Sequence, residues 1–261
     1  MPRTISFDRV ADVYDATRGI SSEAEQPVVD ALAETVGAGR LLEVGVGTGR
    51  WARPLRARGL NVIGTDVSRR MLQVGRSNGL AGVLLADVRR LPFRDRSFGS
   101  SMSNHLLHLV EDWPNALREI ARVTAGSYRS ILEYETARPD LSAEYKALAR
   151  AQGHPVGPPG LPERELRERL PPDHERPIAS VKGINPVEEI LGPLERRAFR
   201  DTWAIPEPDH RQIIGTLRSR HAAAEVRTEL SVVLAEWDPR RLASFAEAAA
   251  ANGPRRGGAD P

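Results

Sequence analysis

The chain has 261 residues, with 37 Lys and Arg against 35 Asp and Glu, a formal charge of +2, and no cysteine. A 40% hydrophobic, 28% charged composition is that of a globular chain, and the near-balance of charge offers no electrostatic footprint for nucleic acid. Without cysteine, disulfides, thiolate zinc sites, iron–sulfur clusters and Cys nucleophiles are excluded.

The N-terminus, MPRTISFDRVADVYD, has no apolar run to act as a signal sequence, and no stretch matches a membrane span, so a cytoplasmic protein is expected. Residues 7–18 carry Phe7, Val10, Ala11 and Tyr14 at helical spacing. Residues 22–36 read as a second helix ended by Gly37 and Gly39. RLLEVGVGTGR, 40–50, is an apolar run meeting a glycine cluster, which reads as a buried strand entering a tight turn. A helix over 51–58 follows, with Pro54 in its first turn. Residues 60–65 form a second strand ending at Asp66, 68–77 a helix that Ser68 caps, and 82–86 a third strand ending at Asp87. A fourth strand of small residues is expected over 97–106, a helix opened by Pro114, and a fifth strand over 127–134. This alternation predicts an α/β fold, a doubly wound and mostly parallel sheet with helices on both faces.

Beyond 136 the pattern changes. Pro- and Gly-rich segments at 153–162 and 171–177 flank a charged helix at 163–170, which reads as a lid and not a sheet layer. A short helix is expected at 187–194, a sixth strand at 195–205, and helices at 208–220 and 239–251. Residues 226–237 stay open between helix and strand, and with them a seventh strand. The expected organisation is a helical cap over 1–36, a ligand-binding core over 37–135, a lid over 136–194, a C-terminal part over 195–252 and a disordered tail over 253–261.

The chemistry lies in Glu43-x-Gly45-x-Gly47-x-Gly49 followed by two acids. Glycines at such a turn adopt backbone angles closed to other residues and let the main chain approach a ligand. Asp66 can accept both hydroxyls of a ribose, and Asp87 can accept the exocyclic amine of an adenine. All sit at the carboxyl ends of strands, where open α/β sheets bind ligands, although each acid alone would serve equally to cap a helix.

LLEVGVGTGR, GTDVS and ADVRRLPFRDRSFGSSMSNHLLHLVEDW resemble the ordered motifs of class I S-adenosylmethionine (SAM)-dependent methyltransferases, and more narrowly the type-11, ubiquinone/menaquinone-biosynthesis-like branch. FDRVADVYDATRG is similar to that branch's N-terminal helix. The resemblance covers residues 7 to about 135, and the branch's Lys-Pro-Gly-Gly turn is replaced here by Thr124-Ala-Gly-Ser127. It implies a Rossmann-like fold and transfer of a methyl group from SAM to a small-molecule acceptor, leaving S-adenosylhomocysteine (SAH), with no metal. It implies that Gly45, Gly47 and Gly49 pack against the methionine part, and that Glu43 braces the loop or meets the amino group. Asp66 would hold the ribose, with Val67, Ser68 and Met71 near the adenine. Asp87 and the Val88 backbone would read the adenine edge. Tyr14 and Arg18 would close over the methionine end, and Asn104 would face the reactive end.

Methyl transfer needs a general base only if the acceptor must lose a proton. His105, next to Asn104, is the candidate catalytic base, while His108 is as readily structural. Two other readings remain: a non-catalytic SAM-binding or partner module, and a nicotinamide-dependent oxidoreductase. The latter is weakened by Arg50, which occupies the position where GxGxxG/A needs a small residue.

Overall fold

The short apolar runs become strands of one seven-stranded sheet. The computed structural model describes residues 4–18, 22–37, 39–222 and 224–251. The expected disordered tail at 253–261 lies outside the described residues. The strands are β1 Leu41–Val44, β2 Val62–Asp66, β3 Val83–Leu85, β4 Phe98–Ser103, β5 Thr124–Arg138, β6 His174–Pro186 and β7 Glu225–Trp237. Their order across the sheet is β3-β2-β1-β4-β5-β7-β6. The first five are parallel, and β7 is antiparallel to both neighbours. Chain order reverses at β1, which pairs with both β2 and β4; a crevice therefore opens beyond their carboxyl ends.

The helices are α1 Tyr14–Arg18, α2 Ser22–Thr35, α3 Ala52–Ala57, α4 Arg69–Ser77, α5 Trp113–Val123, α6 Leu141–Ala151, α7 Glu163–Arg169, α8 Val187–Glu195, α9 Glu207–Arg220 and α10 Pro239–Ala251. β1 is buried on both faces. Leu42 and Val44 join the core under α5 and α10, whereas Leu41 joins the core under α2 and α3. A third apolar cluster unites α6, α8 and α9 around Leu141, Tyr145, Leu191, Ile213 and Leu217, and rests on Val226 of β7.

Several expectations need correction. Residues 7–18 are not one helix but a 3-10 turn, Asp8–Val10, followed by α1. The sixth strand is not at 195–205. There Arg197 takes a left-handed backbone, and its guanidinium donates to the Thr202 and Ile205 carbonyls, winding the chain into a turn. Residues 171–177 do not lie wholly in a lid, because His174 starts β6, a sheet layer. β6 is an edge strand, and Pro177 sits at a register shift where its missing N–H costs no ladder bond. The open stretch at 226–237 is strand β7, paired with β5 from Tyr128 to Arg138. The expected lid at 136–194 is therefore divided. Its helices α6 and α8 pack with α9 beyond the expected boundary, while β6 completes the sheet. Among the described residues no helix is long and apolar enough to cross a membrane.

Candidate functional site

β1 ends at Val44, and Gly45, Gly47 and Gly49 then all take positive φ (73°, 56° and 85°), as the turn requires. Gly45 and Val46 donate their N–H groups to the Thr65 carbonyl at 2.8 and 2.9 Å, which ties the loop to β2. At Gly45 an added Cβ would lie 2.9 Å from Leu106 Cδ1, and at Gly49 2.7 Å from Leu80 Cδ1. The loop is thus both left-handed and closely packed.

Asp66 joins two backbone segments. Its carboxylate accepts the Gly47 N–H at 2.9 Å and the Ser68 N–H at 2.7 Å. Burial pushes this carboxyl up, and the N–H donors of Ser68, Gly47 and Val67 oppose the shift. Ser68 is buried; its Oγ accepts the Met71 N–H and so caps α4, as expected, while donating to Asp8 at 2.6 Å. Its hydroxyl is thereby occupied away from the cleft.

A cleft lies over these strand ends. Gly45, Gly47, Thr65, Asp66, Val67 and Met71 line it, together with Val88, Asn104, His105 and Leu106. Thr4, Ile5, Phe7 and Tyr14 of the N-terminal segment also line it. That segment is held down by Ile5 N–H donating to the Leu109 carbonyl, Asp8 accepting the Arg70 N–H, an Arg70–Asp12 ion pair and a Thr48–Asp15 hydrogen bond. The Arg18 side chain lies outside the described residues.

Glu43 does not line the cleft. It is 3% exposed and accepts the Ala52 N–H at the start of α3. Burial, followed by repulsion from Asp66, pushes its carboxyl up to about 8. Of the two roles left open for Glu43, this position matches bracing of the loop. Asp87 is also set back from the cleft. Arg89 grips its carboxylate with both Nε and Nη2, at 2.6–3.1 Å, while its neighbours Ala86 and Val88 line the cleft.

Sequence reasoning missed Glu133 on β5. Its Oε1 accepts from Asn104 Nδ2 at 3.1 Å, and its Oε2 lies 3.2 Å from His105 Nε2. Nothing in β5's local pattern marks this residue, because its partners are 28 and 29 residues away. Glu163 was also missed. Its Oε1 accepts the Leu106 and Leu107 N–H groups at 2.6 and 2.9 Å, and its Oε2 meets His108 Nδ1 at 3.2 Å. His108 is absent from the cleft lining and pins α7 to the β4–α5 loop, a structural role.

Polar atoms in the cleft suit an adenosyl ligand bearing an amino-acid group. The Thr4 Oγ1, Thr65 Oγ1 and Asn104 Oδ1 atoms are buried at its edge without a hydrogen-bond partner. Orphaned acceptors beside a carboxylate match the hydroxyl and ammonium donors of SAM. Among the described residues no group of three His, Cys, Asp or Glu is placed to hold a metal.

Comparison with known proteins agrees with this geometry. Residues 42–132 match the type-11 family described as a methyltransferase domain. The chain is 32% identical over 160 residues to a malonyl-acyl-carrier-protein O-methyltransferase of Erwinia pyrifoliae, covering 58% of this chain and 61% of that relative. It is 36% identical over 124 residues to a demethylmenaquinone methyltransferase of Renibacterium salmoninarum, covering 45% and 52%. The chain thus spans only about half to three fifths of the length of these curated relatives. A SAM-dependent methyltransferase from Thermotoga maritima superimposes with TM-score 0.50 at 20% identity, over 88% of this chain and 97% of that one. The YcgJ protein of Bacillus subtilis gives 0.50 at 20%, over 80% and 97%. These structures share the Rossmann-like α/β fold.

Proposed function

We propose that the protein, residues 42–132 of which match a methyltransferase-domain family, is a SAM-dependent methyltransferase acting on a small-molecule acceptor. The observation that carries this reading is one cleft that gathers Gly45, Gly47, Asp66, Val67, Met71, Val88, Asn104 and Tyr14 at the β1–β4 switch point. When bound, SAM supplies a methyl group already activated by its sulfonium.

The chain's task is to bind, align and exclude water. Asp66 accepts the ribose hydroxyls with lone pairs not used by Gly47 and Ser68. Val67 and Met71 pack beside the adenine, and the Val88 backbone reads its edge. Asp87 reaches the adenine only if Arg89 turns away, so Val88 is the fixed reader. Gly45 and Gly47 let the main chain approach the methionine part, which Asn104 Oδ1 and Tyr14 contact together with Arg18. Gly49 shapes the turn, Ser68 holds the start of α4, and Glu43 braces the loop from beneath. His105, at the cleft wall beyond Asn104, is the general base. The acceptor is a small molecule and not a nucleic acid, in keeping with the balanced charge of the chain.

Thermal unfolding with added ligand tests this reading. SAH at about 100-fold over its Kd should stabilise the protein by about 2.7 kcal/mol, several degrees in Tm. NAD should give no shift, and Asp66→Ala should abolish the SAH effect. Equal stabilisation by NAD and SAH, or an unaltered SAH response in Asp66→Ala, would overturn the assignment.

A further inference from the structure

We infer that Glu133 is a positioning residue for His105, and that this pair takes the proton from an acceptor whose attacking atom is the oxygen of an O–H group. The inference rests on the methyltransferase reading and names the substrate class of that same site.

Both oxygens of Glu133 are held by successive residues of the β4–α5 loop, Oε1 by Asn104 and Oε2 by His105. The Glu133 side chain is 14% exposed, against 44% for His105. A carboxylate that only decorated the surface would not be buried beneath an imidazole. Burial would push the Glu133 carboxyl up. The hydrogen bond and charge of His105, the Asn104 amide and the Arg50 charge outweigh it and hold the carboxyl below its usual range. Glu133 is therefore an anion at neutral pH.

His105 adopts φ of +52°, a left-handed conformation unfavourable for a residue with a Cβ. Its ring is thereby set against Glu133 while the residue lines the cleft. Such strain is typical of residues that a site holds in one orientation. With the Nε2–H donating to Glu133, the neutral ring has its acceptor lone pair on Nδ1. Among the described residues, His108, whose ring lies 6.2 Å from that of His105, Glu163 of α7 and Arg50 after the glycine loop are charged or titratable neighbours of this pair. Glu163 is committed to two backbone N–H groups and His108, whereas Glu133 meets His105 itself.

This arrangement has a chemical consequence. An uncharged amine attacks with its own lone pair and sheds its proton afterwards to water. An alcohol or phenol O–H group is a poor nucleophile until its proton leaves, so a base within the cleft serves an acceptor that carries such a group. As the acceptor oxygen bonds to the methyl carbon, its O–H proton passes to His105 Nδ1. The carbon–sulfur bond breaks with its electron pair going to the sulfur, which becomes the neutral thioether of SAH. Glu133 stabilises the imidazolium, which later yields its proton to solvent.

The test is nitrogen-15 NMR of the histidine side chains in the full chain saturated with SAH. His105→Gln identifies the His105 signals among the six histidines. The neutral His105 ring should carry its proton on Nε2, and Glu133→Gln should lower the His105 pKa by about 1 unit or more. In parallel, SAH release from SAM is followed with a panel of phenols, alcohols and amines, with carboxylates, already ionised at neutral pH, as acceptors that need no base. An O–H acceptor should turn over, with kcat/KM falling about 100-fold in Glu133→Gln and its acid limb moving to lower pH. A proton on Nδ1, an unchanged His105 titration in Glu133→Gln, or turnover of an amine that persists in His105→Gln would overturn the inference. Failure of SAH to bind would instead strike the methyltransferase reading, and the His105 titration without SAH would still decide whether Glu133 positions the ring.

Discussion

Glu163 should be the residue on which the geometry of the methyl end most depends, although it touches no ligand. Its Oε1 takes two buried N–H groups, from Leu106 at 2.6 Å and Leu107 at 2.9 Å. Hydrogen bonds to a charged group contribute about 1.5–3 kcal/mol each, and buried donors left unsatisfied cost about as much. Glu163→Ala should therefore cost about 3–5 kcal/mol. Glu163→Gln keeps an oxygen acceptor but loses the charge opposite His108, and should cost about 1–2 kcal/mol. Acid should mimic the loss. Burial would raise the Glu163 carboxyl, but His108, then His105 and the Leu107 N–H, hold it down at about 2 against an ordinary 4.5. A carboxyl lowered by folding adds stability that is complete above 4.5 and disappears as the pH falls through about 2. The gap corresponds to about 3 kcal/mol. Urea unfolding followed by tryptophan fluorescence, at neutral pH and down to pH 3, measures both effects. A Glu163→Ala variant within 1 kcal/mol of wild type would refute the account of the β4–α5 loop.

The other predictions concern the cofactor side. Glu43, pushed up to about 8 by burial, binds its proton more tightly folded than unfolded, so its contribution should fall as the pH rises from 4.5 through about 8. Glu43→Gln should thus be at least as stable as wild type at pH 9 in urea unfolding; a loss above 1 kcal/mol there would contradict the sign. Gly49→Ala combines a φ of +85° with a Cβ 2.7 Å from Leu80, and should cost about 2 kcal/mol or more in the same assay. Asp8→Ala removes an acceptor for Ser68 Oγ and the Arg70 N–H, which loosens the N-terminal segment over the cleft. Stopped-flow SAH release should accelerate several-fold while global stability falls by only about 1 kcal/mol.

Local signals made the first half of the fold legible. β1, β2 and the glycine loop are specified by short apolar runs ending in residues that only a turn accommodates, and Ser68 caps α4 as its position suggests. The second half was hidden because long-range pairing decides it. β6, with Arg176 and Pro177, has little strand character and exists because β7 offers it a paired edge. The reverse occurs at 195–205, where a mixed segment carrying Phe199, Trp203 and Ile205 is wound into a turn by Arg197 and by Trp203 Nε1 donating to the Arg197 carbonyl. In the site, glycines and Asp66 could be found by spacing. Glu133 and Glu163 could not, since each acquires its role from a loop 25 to 60 positions away in the chain. Asp87 was legible as a strand-end acid, but not its capture by Arg89 two residues later.

The central claim is that this cleft binds an adenosyl ligand through Asp66 and the glycine loop. Isothermal titration of the full chain with SAH tests it most directly. The account predicts saturable binding at one site per chain, weakened at least tenfold by Asp66→Ala in a variant that remains folded by circular dichroism. No heat and no saturation with the folded wild-type chain at millimolar SAH would contradict it.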